Sequence, residues 1–361
     1  MKKERSLIKS VLKIIGVIIS LAISAFVGLV LFLTVTEFKP NDVTVIPLEK
    51  TVEKTVPKNK ELTIVSFNMG FAGMGKESDF FMDGGKQVFP KDKELVEKNL
   101  DGISEILQTI DADFTLLQEV DLDSRRSYNI NEQDYLTEQV FHSPSLFAAN
   151  YKAAFVPVPF PPLGKMHSGL LTNSRYDVGE ANRVSLTVPF KWPVRLANLK
   201  RCLLTTRLPI EGSDKELVLV NLHLEAYDDT GGRETQTREL INLMKEEYEK
   251  GNYVIAGGDF NQSLFPLEEL PFELSEDIWK PGVLDESILP DGYQLLRDET
   301  LTPSCRSLHE VYDPSSKDMA YYIIDGFIAT PNITVNQVET YQQNFEYSDH
   351  NPIVLNFMLK D

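Results

Sequence analysis

Asp259 and Asn261 sit two residues apart in IAGGDFNQ (255–262), where an apolar run ends in a carboxylate and a carboxamide. On an extended chain such residues share a face. An acid beside an amide can hold and orient an attacking water. The pattern recurs. TIVSFN ends at Asn68, FTLLQE at Glu119, and LVLVNLH at Asn221 and His223. YIID brings Asp325 to an apolar strand, and SDHNPIV sets Asp349 and His350 just before one. Apolar strands that repeatedly deliver Asn, Glu, Asp and His to their ends predict one polar site at one edge of the sheets.

The residue types suit a hard divalent cation. Magnesium takes oxygen ligands, often one or two carboxylates, and completes its shell with water and substrate phosphate. Glu119 supplies charge and Asn68 a neutral oxygen, with Mg2+ the expected ion and Mn2+ its substitute. Zinc fits less well, because no tight His/Cys cluster occurs. A cation, a charged histidine and amide donors together offset the charge that builds on phosphoryl oxygens. A histidine near its ordinary pKa can take or give a proton. No Gly-x-Ser-x-Gly elbow is present. Each residue alone has a plainer reading: Asn68 as a turn cap, His223 as a core imidazole, GGDFN as a turn. The active-site reading accounts for all of them at once.

The elements that must position these groups begin at Glu61. KELVEKNLDGISEILQTI places Leu95, Ile103, Ile106, Leu107 and Ile110 at helical spacing. GRETQTRELINLMKEEYEK reads as a surface helix stopped by Gly251. Short apolar runs between them read as strands, so stacked sheets with helical outer layers are expected.

The first 13 residues hold five Lys/Arg and one acid, and Ile14 to Val35 holds no charge. About 20 apolar residues suffice to span a bilayer, and a secretory signal has a shorter apolar region. Residues 1–36 therefore read as a basic flank and an uncleaved anchor, with the N-terminus cytoplasmic and the body outside. Residues 37–60 read as a flexible linker of roughly 25–30 Å, and residues 61–361 as the catalytic body. The chain carries a net charge of −18, and the rest without its basic start is near −22. That balance argues against a broad nucleic-acid grip. Cys202 reads as a small buried thiol, and its pairing with Cys305 is open.

Glu61 to Leu359 resembles the endonuclease/exonuclease/phosphatase superfamily, which includes deoxyribonuclease I, apurinic endonucleases, neutral sphingomyelinases and inositol polyphosphate 5-phosphatases. The resemblance rests on FN (67–68), LQEV (117–120), NLHL (221–224), GGDFN (257–261), IDGF (324–327) and SDHNPI (348–353), in the family's order. It implies a four-layer α/β sandwich and metal-dependent hydrolysis of a phosphate ester. It implies Asn68 and Glu119 at the metal, and Asp259 with Asn261 at the water or phosphate. Asp325 would support a histidine or a second metal. Asp349 would fix the His350 imidazole on the nucleophilic side, with His223 at the leaving group. Arg125, Arg126, His167 and Asn221 are candidate substrate contacts, with Arg201 and Arg233 behind them. The Gly- and Phe-rich stretch 69–86 reads as a lid or a membrane-facing loop.

Three functions fit. The first is a membrane-tethered phosphoesterase acting outside the cytoplasm on a small or lipid-derived ester. The second is an extracellular nuclease on the same scaffold. The third is a surface binding module on an inactive fold.

Overall fold

The computed structural model describes residues 2–48, 54–227, 231–272 and 278–360. In chain order the strands begin β1 (Val43–Val45), β2 (Leu62–Asn68), β3 (Phe114–Asp121), β4 (Leu146–Val156), β5 (Gly164–Ser174) and β6 (Glu180–Ser185). They continue β7 (Cys202–Pro209), β8 (Glu216–His223), β9 (Tyr253–Asp259), β10 (Gln262–Ser263), β11 (Gly282–Val283) and β12 (Gln294–Leu296). The last are β13 (Cys305–Arg306), β14 (Tyr321–Tyr322), β15 (Asp325–Ala329), β16 (Ile333–Thr340) and β17 (Ile353–Leu359). The α-helices are α1 (Lys2–Thr36), α2 (Lys93–Ile110), α3 (Glu132–Leu136) and α4 (Gly232–Glu249).

Two mixed sheets form, ordered β1-β6-β7-β8-β9-β15-β12 and β16-β17-β2-β3-β5-β4. Leu62, Ile64, Phe114 and Leu116 of one meet Leu217, Leu219, Ile255 and Phe327 of the other in a fully buried layer. Burying each such side chain contributes about 1.5–3 kcal/mol. The outer faces are covered by helices. Val96, Leu100, Ile103 and Leu107 of α2 pack on Val65, Phe67 and Leu117, and Leu240, Ile241 and Met244 of α4 pack on Val218, Val220 and Val254. The body is thus the expected four-layer α/β sandwich. Asp92 starts α2 by accepting the Leu95 N–H at 2.9 Å, which satisfies one of the unpaired donors of the first turn.

The topology explains why one edge becomes polar. β2 and β3 run parallel around α2, and β8 and β9 run parallel around α4. Their C-terminal ends therefore point the same way within each sheet, the usual place for a site in such units. β15 and β17 run antiparallel to these strands, so they offer their N-terminal ends there, with Asp325 opposite Asp259 and Ile353 opposite Ser66.

The segment expected to be a free linker is docked instead. Val43–Val45 pairs with Asn182–Val184 as an edge strand, and Val56 is fully buried and bridged to Ile210. The run VTVI supplies the β-branched residues that an open sheet edge accepts. Residues 49–53 lie outside the described residues. Cys202 and Cys305 are both buried and free. α1 is the one helix among the described residues long and apolar enough to cross a membrane, a test that a signal sequence also passes.

Candidate active site

Asn68, Glu119, His223, Asp259, Asn261, Asp349 and His350 all line one cleft of about 410 Å³. Asp325 lies behind His350 and reaches the site through it. Its Oδ2 is 2.8 Å from His350 Nδ1 and accepts the Ser304 hydroxyl at 2.7 Å. This corrects the expected pairing. Asp349 Oδ2 is 4.0 Å from the other ring nitrogen, Nε2, so Asp325, not Asp349, sets the tautomer of His350. Burial opposes charge on this imidazole, but Asp325, Cys305 and Asp349 outweigh it, and His350 is held protonated well above its ordinary range.

Asp259 occupies the centre. Its Oδ1 accepts the Asn261 backbone N–H at 2.8 Å and its Oδ2 accepts Asn68 Nδ2 at 3.1 Å. The same Oδ2 is 3.4 Å from His223 Nε2 and 3.8 Å from His350 Nε2. Burial, and then the charge of Asp325, raises this carboxyl to about 7. His223 goes the other way. Burial, then Arg201 and His350, push it well below its ordinary value, so it is neutral. The two glycines ahead of Asp259 permit this crowding. A Cβ on Gly258 would sit 1.9 Å from the Leu222 carbonyl, and one on Gly257 would strike the Phe327 ring at 2.3 Å. Asn261 turns back in a left-handed conformation, and its Nδ2 donates to the Leu224 carbonyl at 2.9 Å.

Glu119 reaches the cleft through a bulge. The pairing of β3 with β5 slips between Leu117 and Val120, and Glu119 there takes φ +55°. Such a backbone costs about 1–3 kcal/mol outside glycine, and bulges commonly re-aim a side chain at a site. Around Glu119 the negative charge is concentrated. Burial pushes Asp349 up to about 6, with His350 opposing the shift and Glu119 adding to it. Asp83, across the cleft, is also raised by burial and by Glu119, against a hydrogen bond from Tyr227. Buried Asp349 and half-buried Asp83, both raised further by the nearby charge of Glu119, with the neutral oxygen of Asn68 in the same cleft, fit a hard divalent cation. Asp325 Oδ1 adds a buried oxygen without a partner.

This reading carries a pH dependence. Asp259 and Asp349 have folded pKa values above the unfolded value near 4. Their favourable contribution is present below that value and is lost as pH rises towards 6 and 7. A cation beside Asp349 binds its ionised form and returns that part of the loss. Saturating Mg2+ should therefore raise the melting temperature by several degrees near pH 8, and by less than half as much near pH 5.5. A magnesium shift equal at both pH values in a thermal melt would remove Asp349 from the ion's surroundings.

The candidate substrate contacts divide. Arg126 lines the cleft, paired to Asp121 at 3.0 and 3.1 Å, 3.5 Å from Glu119 and stacked over Phe71. Arg125 lies outside it, donating to the Pro162 carbonyl at 2.9 Å. His167 faces away and meets the edge of Phe147. The next residue, Ser168, takes the cleft position and accepts from Arg126 at 3.2 Å, because strand side chains alternate. Asn221 is buried between the sheets. Its amide donates to the carbonyls of Leu117 and Leu171 at 3.1 and 2.9 Å, so it holds the sandwich together. Arg233 clamps the loop under the site, donating to the carbonyls of Glu225 and Asn261. Arg201 lines the cleft beside Glu225 at 3.7 Å.

A model of the endonuclease/exonuclease/phosphatase family matches residues 65–275. The chain belongs to this family. Family enzymes are phosphate-ester hydrolases that use divalent metal ions, in keeping with the carboxylates and histidine gathered here. A family protein from Beutenbergia cavernae DSM 12333 superposes with a TM-score of 0.58 at 16% identity, over 84% of this chain and 72% of that one. One from Bacteroides vulgatus gives 0.52 at 13%, over 84% and 100%. The human Nocturnin catalytic domain with bound sulfate gives 0.51 at 15%, over 83% and 95%. At these identities the likeness is one of fold. No curated protein sequence matches the chain.

Several features of this family member escaped the sequence reading. Tyr227 donates to Asp83 at 2.5 Å and ties stretch 69–86 to the opposite wall. Buried Arg306 holds the same stretch by its Gly75 and Ser78 carbonyls at 2.9 and 3.1 Å. Neither residue ends an apolar run, so neither gave a signal.

Proposed function

We propose that this protein is a membrane-anchored hydrolase of phosphate esters acting outside the cytoplasm. The observation that supports it most is the meeting of Asn68, Glu119, Asp259 and the His350–Asp325 pair in one cleft. A divalent ion held by Glu119, Asn68 and Asp349 would supply charge to neutralise phosphoryl oxygens. The remaining chemistry belongs to the chain. Asp259, raised to about 7, takes the proton of an attacking water that Asn261 helps to orient. His350, protonated, donates through Nε2 to a phosphoryl oxygen, and burial strengthens that bond. Neutral His223, 3.4 Å from the same Asp259 Oδ2, would serve the leaving oxygen. The protonated state of His350 makes it a donor on the side of the cleft where sequence places it with the nucleophile. Residues 1–36 as anchor and 61–361 as catalytic body remain the division we adopt, with Val43–Val45 and Val56 joined to that body and the basic flank holding the N-terminus inside.

The test is magnesium-dependent hydrolysis of bis(p-nitrophenyl) phosphate by the full chain in detergent. Glu119→Gln should raise the magnesium needed for half-maximal rate about 10–100-fold and leave the melting temperature of the metal-free protein nearly unchanged. An unaltered magnesium titration would exclude Glu119 as a ligand, and no turnover by the wild type would overturn the reading.

A further inference from the structure

Outside α1 and the edge strand β1, where Val45 is 70% exposed, the most exposed apolar residues fall on two loops. Phe160 is 93% exposed, Val158 66%, Val194 62% and Trp192 59%. All four lie on two loops, one following β4 and one between β6 and β7. Both loops also wall the cleft, through Val158 and Leu163 and through Phe190 and Ala197.

The same two regions receive the anchor. The end of α1 packs against β4 and against the turn Val194–Ala197, and Leu33 is buried while residues 7–28 are exposed on every side. The uncharged run ends at Val35. Two residues later Glu37, its side chain 4% exposed, lies 3.4 Å from Arg195 and 3.5 Å from Lys200. Two residues reach at most about 7 Å, so no spacer lets the body stand away from the bilayer. Glu37 thus ties the end of α1 to the half-exposed Arg195 and the buried Lys200.

Charge points the same way. Residues 181–210 contain six Lys/Arg and no acid, in a chain of net charge −18; Arg183, Lys200 and Arg201 are buried and Arg207 is paired with Glu216 and Glu247, so Lys191 and Arg195 are the exposed ones. Lys191 and Arg195 bracket Trp192 and Val194. An aromatic and aliphatic tip with flanking cations suits an anionic membrane interface. Inside the cleft, Phe71, Phe81, Met82, Phe190 and Trp279 offer apolar surface. Of its arginines, Arg126 is engaged by Asp121 and Arg306 by backbone carbonyls, which leaves Arg201, 3.7 Å from Glu225 and with Nε and Nη1 lacking hydrogen-bond partners, as one guanidinium for a single phosphate group. A substrate with an apolar part fits these walls better than a polyanion.

We propose that these two loops seat the mouth of the cleft on the bilayer that holds α1, and that the ester hydrolysed there is a phospholipid of that bilayer. In the reaction, water oxygen bonds to phosphorus, the ester P–O bond breaks, and the proton released from water ends on the departing alcohol. The substrate half of this proposal rests on the phosphoesterase reading; the docking half does not.

The full chain is reconstituted into vesicles of phosphatidylcholine, phosphatidylglycerol and phosphatidate, with magnesium. Trp192 fluorescence, taken as wild type minus Trp192→Phe, should fall at least about twofold when the acyl chains are brominated. A Phe160→Ser/Trp192→Ser variant should lose about tenfold or more of phospholipid hydrolysis and keep its rate on soluble bis(p-nitrophenyl) phosphate. Unquenched Trp192, or lipid hydrolysis unaffected by the double variant, would overturn the docking. A wild type that cleaves the soluble diester but none of the three lipids would overturn the substrate half and leave the phosphoesterase reading standing. A wild type inert towards both would overturn the phosphoesterase reading and the substrate half with it, and the quenching would still decide the docking.

Discussion

Asp259→Asn lowers turnover about 10²–10⁴-fold, while the melting temperature moves by no more than a few degrees. The two halves of this expectation come from the same facts. Asp259 is the carboxylate that both histidines approach, with Oδ2 3.4 Å from His223 and 3.8 Å from His350. Its pKa, about 7, is where a general base is most effective near neutral pH. An amide cannot take the proton, so the rate falls. The fold is little affected, because a buried acid with so high a pKa is already half neutral there. An amide oxygen can still accept the Asn261 N–H that Oδ1 now accepts at 2.8 Å; the bond of Oδ2 with the Asn68 amide at 3.1 Å is lost, and the shift of a few degrees includes that cost. Turnover of bis(p-nitrophenyl) phosphate at saturating magnesium, beside a thermal melt, checks both. A near wild-type rate would take Asp259 out of the chemistry. A collapse in stability would instead make it a structural residue.

Strand-end residues were legible in the sequence because apolar runs mark strands, and a polar residue closing such a run has little reason to be there except a site. Asn68 and Asp259 announce themselves this way, and His350 by standing just before such a run. Asn221 does too, and there the inference fails. It lies two residues before the strand end, facing the other sheet, and its amide serves the carbonyls of Leu117 and Leu171. Period-two alternation says which residues share a face, but not which face looks into the cleft. His167 and Ser168 differ by that one step. The partner of His350 was misread for a related reason. Asp349 is its neighbour in sequence, yet successive residues on extended backbone point apart. The acid that meets Nδ1 comes from β15, 25 positions away. The docked segment 37–48 was hidden by its composition. Prolines and charges suggest coil, and only the open edge of β6 makes a strand of Val43–Val45.

The His350 dyad gives the second large effect. His350→Gln should lower turnover about 10³–10⁴-fold, since it removes a charged donor aimed at the phosphoryl group. That loss alone does not say which acid serves the histidine; comparing Asp325→Asn with Asp349→Asn does. Asp325 is the leading charge that holds the imidazolium well above its ordinary range, against burial. His350 must be protonated to donate, so activity is lost as pH rises through its pKa. Without the Asp325 charge that pKa falls, and the alkaline limb of the pH–rate profile moves to lower pH. The rate at neutral pH drops with it, by about 10²–10⁴-fold. The dyad's pH-dependent stability follows the same sign. It is present below the unfolded histidine value near 6.5 and is lost as pH rises through the folded one, so Asp325→Asn destabilises most in acid. Asp349 sits 4.0 Å from Nε2 and next to the charge of Glu119. Asp349→Asn should therefore raise the magnesium requirement and leave the alkaline limb near its wild-type position. Rate profiles of the three variants at saturating magnesium separate these roles. If Asp349→Asn, rather than Asp325→Asn, shifts the limb, the expected Asp349–His350 pairing is the working one.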